Sequence, residues 1–441
     1  MADWRFTFLL AASGFINYYL ALFIFGQKEG RRKSMAYYSG IIFNVGLLLY
    51  FKYFNFFIDG FTDLFNVFGA GLSFTPFHII LPLGISFFTF QMIGYLIDIK
   101  NEEIEPASDL LEFFTFLAYF PKILSGPIER VQRFVPQIHE RRNFNYALAI
   151  DGLFQFVWGL FKKMVIADNC TPIVDSIFAD YASLNGSTLL LGAFLISISV
   201  YADFSGYSDM ACGVSKLFGI NIINNFAFPF FSTNISTFWK KWHISLTSWM
   251  MDYLFTPLNF VLRGYGKLGL IFSIVITFLI VGLWHGANWT YIVYGILHGL
   301  FFVPLILKGS INTNVIVAKN RRLPSLREFF GMLGIFVLFS VSLVFLKAQT
   351  VAQAVSYISE IVSPSLFSIP KLVGIQNTSL IIVLLMTAPL IVLDWVYRNE
   401  DHVFTGLYRK RLMPQLILVA CIVMVIFIFG GQQQAYIYFQ F

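Results

Sequence analysis

Apolar runs with few charges recur along the whole chain, at roughly 6–26, 36–57, 75–97, 148–167, 187–203, 268–284, 288–307, 328–346, 378–396 and 412–430. A helix of about 20 apolar residues crosses a bilayer core, so the pattern predicts an all-α polytopic membrane protein. The stretch 110–124 is too short for a secure crossing, and Pro82 and Gly84 predict a broken entry into the run at 75–97. QKEGRRKS (27–34) and KNRRLPSLR (319–327) are basic. By the charge bias of membrane proteins both belong on the cytoplasmic side, which puts the N-terminus outside. PKILSGPIERVQRFVPQIHERR (121–142) is broken by Pro and Gly and reads as a partly re-entrant segment at that face. YADFSGYSDMACGVSKLFGI (201–220) reads as a helix with a polar side turned toward protein, and 221–247 as a cytoplasmic-side segment of short interfacial helices. Residues 350–375 are mixed, a short interfacial helix or an external loop.

Composition agrees. Charged residues make up 12% of the chain and the mean hydropathy is +0.72, whereas soluble domains carry about a quarter charged residues. The net charge of +6 is accounted for by the basic loops beside anionic lipid, and no basic patch interleaved with exposed aromatics argues for nucleic acid. The first run, from Phe6 to Phe25, is too long for an ordinary signal core and lacks a cleavage site, so it reads as a retained helix. Three scattered cysteines make neither a disulfide framework nor a metal site. Walker A, GxSxG and HExxH patterns are absent.

The chemistry concentrates in FLIVGLWHGANWTYIVYGILHG (278–299), which holds His285, Asn288 and His298 but no Lys, Arg, Asp or Glu. Polar groups at membrane depth are costly without partners, so they mark glue or function. A neutral imidazole can take the proton of a hydroxyl that attacks a carbonyl, and this makes His285 a candidate base for acyl transfer. Asn288, three positions on, shares its face if the stretch is one helix. On that same assumption His298 lies about 20 Å away on another face, in a structural role. His243 sits in FWKKWHISLTSW (238–249). That stretch reads either as an interfacial amphipathic helix, with Trp at the headgroups and Lys240 and Lys241 snorkelling, or as a site for an anionic cofactor or carrier. His78, His139 and His402 read as interfacial or exposed. Asp203 and Asp209 keep open a transporter with a proton path.

PLGISFFTFQMIGYLID (82–98), PKILSGPIER (121–130), FVWGLFKKMVIADN (156–169), YADFSGYSDMACG (201–213), FWKKWHISLTSWMMDYLFTPL (238–258), GLWHGANWTYIVYGILHG (282–299) and the ending IYFQF together resemble the membrane-bound O-acyltransferase (MBOAT) family. The similarity is nearest to its bacterial branch of polysaccharide O-acetylation, with the D-alanyl-transfer branch of teichoic acid modification as competitor. The match is strongest over about residues 80–300 and implies a single membrane domain over 1–441, with helices around a deep funnel or tunnel. Family members usually begin with further hydrophobic segments, so either the natural protein is short, with a smaller outer scaffold, or the start of this sequence is trimmed or misassigned.

The resemblance implies that His285 is the buried essential histidine and that His243 is a second functional one. Asn288 and Asp252 become orienting candidates. It also implies acetyl-CoA as a transient donor, with Lys240 and Lys241 near its phosphates, no permanently bound cofactor and no metal. The expected partner is a periplasmic acetyltransferase subunit that modifies the polymer, and the expected location is the bacterial inner membrane. The rival readings are a transporter of an acylated carrier that performs no chemistry, and a scaffold for a secretion complex.

Overall fold

The computed structural model describes residues 4–69, 73, 77, 79–311, 316–319, 321–371, 377–407 and 412–436. His78 and the final IYFQF lie outside the described residues. Seven helices among the described residues are long and apolar enough to span a membrane, and no strand forms among them. The chain is a multi-pass helical membrane protein. It divides into two compact units, residues 1–142 with 286–288, and residues 143–285 with 289–441.

In the first unit, α1 (Arg5–Gly26) and α2 (Arg31–Leu48) are followed by a π-turn at Leu49–Tyr53 and α3 (Phe54–Val67), so the run expected to stop near 57 continues for about three more turns. Then come α4 (Ile85–Lys100), α5 (Leu110–Leu117) and α6 (Val131–His139). Buried Asn17 and Asn44 clasp α1 to α2 with reciprocal amide bonds of 2.7 and 3.2 Å, a low-cost glue where water is absent. The break before α4 is as expected. Gly84 caps the helix at φ +74°, and a Cβ there would lie 2.3 Å from the Ile123 carbonyl oxygen. His139 is exposed and pairs with Glu112 at 3.0 Å.

In the second unit, α7 (Tyr146–Phe161), a π-turn (Lys162–Ala167) and α8 (Asp168–Ala179) form one composite rod against α9 (Gly186–Leu217). Asn145 and Asn185 cap α7 and α9 through their side chains. Glycines let the two backbones touch. A Cβ on Gly152 would sit 2.6 Å from the Gly213 carbonyl oxygen, and one on Gly159 would sit 2.5 Å from that of Gly206. α9 absorbs the polar stretch at 201–217 into one buried helix, as its pattern suggested.

Next come α10 (Ile235–Trp239), α11 (Ile244–Met250) and α12 (Thr256–Leu262), with a π-turn at Met251–Phe255. The helical path from Ile244 was not evident in a segment read as interfacial. The hairpin α13 (Gly266–His285) and α14 (Trp289–Leu300), then α15 (Val303–Leu307), α16 (Leu326–Lys347), α17 (Val351–Ile361), α18 (Asn377–Val396) and α19 (Leu412–Phe429) complete the unit. Ser325 and Glu328 form a capping box at the start of α16.

Candidate functional site

α13 stops at His285 and the chain turns through Gly286–Asn288 into α14. The assumption of one continuous helix therefore fails, and with it the shared face of His285 and Asn288. Asn288 falls in the turn, with the first unit. The reason for the reversal is glycine. A Cβ on Gly282 would lie 2.2 Å from the Tyr291 carbonyl oxygen, and one on Gly295 would lie 2.4 Å from that of Phe278. With hydrogens in their place, α14 packs back along α13 and returns His298 toward His285 rather than carrying it away.

The histidines join a continuous set of rings. His243 lies 5.5 Å from Trp284, Trp284 lies 5.0 Å from His285, His285 meets Tyr294 edge-on at 5.9 Å, and Tyr294 lies 4.4 Å from His298 (centroid distances). His243, His285 and His298 are 1%, 8% and 0% exposed, so all three lie in the protein interior. The interfacial reading of FWKKWHISLTSW is corrected accordingly: Trp239, Trp242 and Trp249 are buried as well.

His243 owes its position to backbone strain. It holds φ +47°, unusual for a residue with a side chain, as the cap of α11. Asn225 fixes the turn: its carbonyl accepts from Ile244 N–H at 2.9 Å and its side-chain oxygen accepts from Ser245 N–H at 3.2 Å. Phe204 of α9 packs edge-on against the His243 ring at 4.6 Å.

Both ring nitrogens of His298 have partners. The indole N–H of Trp239 donates to its Nδ1 at 3.3 Å, so Nε2 carries the proton and donates to Ser342 Oγ at 2.9 Å. Ser342 Oγ–H in turn donates a hydrogen bond to the Phe339 carbonyl at 2.6 Å.

A cavity of about 610 Å³ opens beside this cluster. Its wall from α13 is the ridge Leu270, Ile274, Thr277 and Val281, and the next position on that ridge is His285. Trp239 and Phe278 also line it. Among its described lining residues the charged ones are Lys240 and Asp252. Asp252 is thus a cavity residue. Lys241 is not part of the lining, and burial lowers its pKa from the ordinary lysine range.

The acids named for a proton path are ion-paired. Asp209 binds Lys162 at 2.5 Å, and Asp203 binds Lys163 at 2.7 Å, with Asp168 on the same ammonium at 2.8 Å. Ser205 accepts from Lys162 at 2.9 Å. The exposed reading of His402 is overturned: it is buried, with Nε2 2.9 Å from Asp151 and from Lys216. The acid and the base reach it from α7 and α9, far off in sequence. Tyr294, Trp239, Ser342 and Asn225 were not singled out as site residues. Ser342 lies in an apolar helix where no local pattern marks it, whereas Tyr294 stands four residues before His298 on one helix face, a signal that was available.

The profile of the membrane-bound O-acyltransferase family matches residues 101–346. A probable alginate O-acetylase of Azotobacter vinelandii is 34% identical over 89% of this chain and 76% of its own. A peptidoglycan O-acetyltransferase of Helicobacter pylori is 30% identical over 98% of this chain and 87% of its own. A teichoic acid D-alanyltransferase of Streptococcus thermophilus is 32% identical over 58% and 65% respectively. The buried histidine cluster lies inside the matched region, and the chain belongs to the membrane-bound O-acyltransferase family, as an O-acyltransferase.

Proposed function

We propose that the protein moves an acetyl group from cytoplasmic acetyl-CoA across the inner membrane, for O-acetylation of a cell-surface or periplasmic polysaccharide such as alginate or peptidoglycan. The observation that carries this reading is the ridge of α13: the cavity follows it and His285 continues it. α13 starts beside Arg263 and Lys267, and Lys267 donates to the Leu307 carbonyl at the end of α15 at 2.9 Å. That basic end is the cytoplasmic one by charge bias. His285 stands at the other end, about 28 Å along the helix at 1.5 Å per residue.

In this reading Lys240, on the cavity wall, and the neighbouring Lys241 draw the CoA phosphates. The thioester lies along the ridge. An acceptor hydroxyl oxygen attacks the carbonyl carbon while His285 takes its proton. The C–S bond breaks and the proton passes to the departing sulfur, leaving an ester and the CoA thiol. His243, linked to His285 through Trp284, holds the second functional position. A periplasmic acetyltransferase then carries the acetyl group to the polymer. D-alanyl transfer is the alternative of the same chemical class.

The test is turnover by wild type and His285→Ala in nanodiscs with radiolabelled acetyl-CoA, with and without the candidate periplasmic partner. Thiol release and label transfer lost only in the folded variant support the reading. Equal activity in both removes His285 from the chemistry.

A further inference from the structure

α13 carries a polar residue that the chemistry above does not use. Of the described residues that this helix gives to the cavity wall, Leu270, Ile274, Phe278 and Val281 are apolar and Thr277 alone is polar. Thr277 is buried, and its Oγ1–H donates to the Ser273 carbonyl at 2.7 Å. With its proton engaged there, the oxygen has only lone pairs to offer a ligand. No donor among the described residues reaches it.

A hydroxyl that bonds back to the preceding turn is the usual way for a threonine to sit in an apolar helix. Ser273 does so as well, toward the Gly269 carbonyl at 2.8 Å, but it is wholly buried and is not part of the cavity lining. What sets Thr277 apart is its place on the wall.

The donor must bring polar groups past that wall. The pantetheine arm of CoA, between the sulfur and the phosphates, holds two amides, and each N–H gives up water on entry and needs an acceptor. Counted from the thioester carbonyl carbon, the inner amide nitrogen is four bonds away and the outer one eight. An extended chain gains about 1.2 Å per bond, so the outer nitrogen lies about 10 Å from that carbon. Thr277 stands eight residues before His285, about 12 Å along the helix axis. A thioester that reacts beside His285 therefore puts its outer amide level with Thr277.

We propose that Thr277 is a positioning residue for the donor: its Oγ1 accepts from the outer amide N–H of the pantetheine arm and so fixes how deep the thioester enters beside His285. The inference rests on the donor reading above.

Wild type, Thr277→Val, Thr277→Ala, Thr277→Ser and Ser273→Ala are compared in nanodiscs, each with a melting curve. The donors are acetyl-CoA and its analogue in which an oxygen atom replaces the outer amide N–H. The analogue keeps the length and the thioester and lacks only the hydrogen-bond donor. Thiol release gives kcat/KM for both. A site built around a hydrogen bond rejects a ligand that cannot make it, so the wild type prefers acetyl-CoA by about tenfold or more. Thr277→Val keeps the shape of the side chain without the acceptor. Its preference falls to about twofold or less, because acetyl-CoA loses about tenfold and the analogue does not. Thr277→Ala, a second variant without an acceptor, behaves alike. Thr277→Ser keeps both the acceptor and the preference. Ser273→Ala, which removes the same kind of helix bond away from the wall, leaves the preference unchanged.

A threonine that serves only its own helix gives Thr277→Val and Thr277→Ala the wild-type preference, with both donors lowered together or untouched. That result overturns the proposal, and so does a wild type that uses the two donors alike. If the wild type releases thiol from neither donor, the donor reading falls and this inference with it.

Discussion

The rings of His285 and Tyr294 meet edge-on, with centroids 5.9 Å apart. Tyr294 is 2% exposed and fills the space between that histidine and His298. Its ring, more than its hydroxyl, is what faces the two imidazoles. Tyr294→Phe should retain acyl transfer within a few-fold. Tyr294→Ala should empty the space, cost about 3–5 kcal/mol of stability, and lower kcat far more than donor KM, because His285 loses the surface that orients it. Steady-state kinetics beside a thermal melt check both; equal activity of the two variants contradicts the spacer role.

The α13–α14 hairpin depends on hydrogens at two positions. Gly282→Ala would push a methyl to 2.2 Å from a backbone oxygen, which no flexible side chain can relieve. Activity should fall at least about tenfold with a lowered melting temperature, since small shifts near the chemistry are costly. Gly46 in α2 is the control, with nothing within 4 Å of the corresponding position. Gly46→Ala should be neutral or stabilising by up to about 1 kcal/mol, from helix propensity alone.

Lys162 and Asp209 are both largely withdrawn from solvent, at 4% and 17% side-chain exposure. Removing either partner strands the other charge. Lys162→Met or Asp209→Leu should each destabilise by about 3–5 kcal/mol, while the double variant should cost clearly less than the sum. A double-mutant cycle by chemical denaturation gives the coupling directly. Strictly additive losses would mean that the two groups stabilise the bundle independently.

The span pattern was legible because lipid forces apolar runs of fixed length, and α1, α13, α14, α16, α18 and α19 fall close to where hydropathy put them. His285 and His243 stood out as polar groups in apolar or aromatic company. What failed was the geometry across a turn. Gly286 ends α13 in the gap between the runs at 268–284 and 288–307, yet the helical arithmetic treated 278–299 as one helix, and so it set His298 on the wrong face and gave Asn288 the wrong neighbour. His402 failed for a different reason. Its partners Asp151 and Lys216 lie some two hundred residues away, and no local window shows that a polar loop residue is covered by two distant helices.

The loop after α1 carries a pH-sensitive junction outside the spans. Glu29 is bound by Lys33 at 2.8 Å and Lys100 at 3.0 Å, which hold its carboxyl below the usual glutamate value of 4.5, the Lys33 bond foremost. A carboxylate with a depressed folded pKa contributes stability that is complete above its unfolded pKa and is lost as the pH falls through the folded one. Wild type should therefore lose melting temperature in the window below pH 4.5 more steeply than Glu29→Gln, and the two curves should converge at the acid end. Glu29 is 65% exposed, so the difference is small and should shrink further in high salt. Parallel acid limbs for the two proteins at low ionic strength would show that the Glu29 pair adds nothing to the stability of this junction.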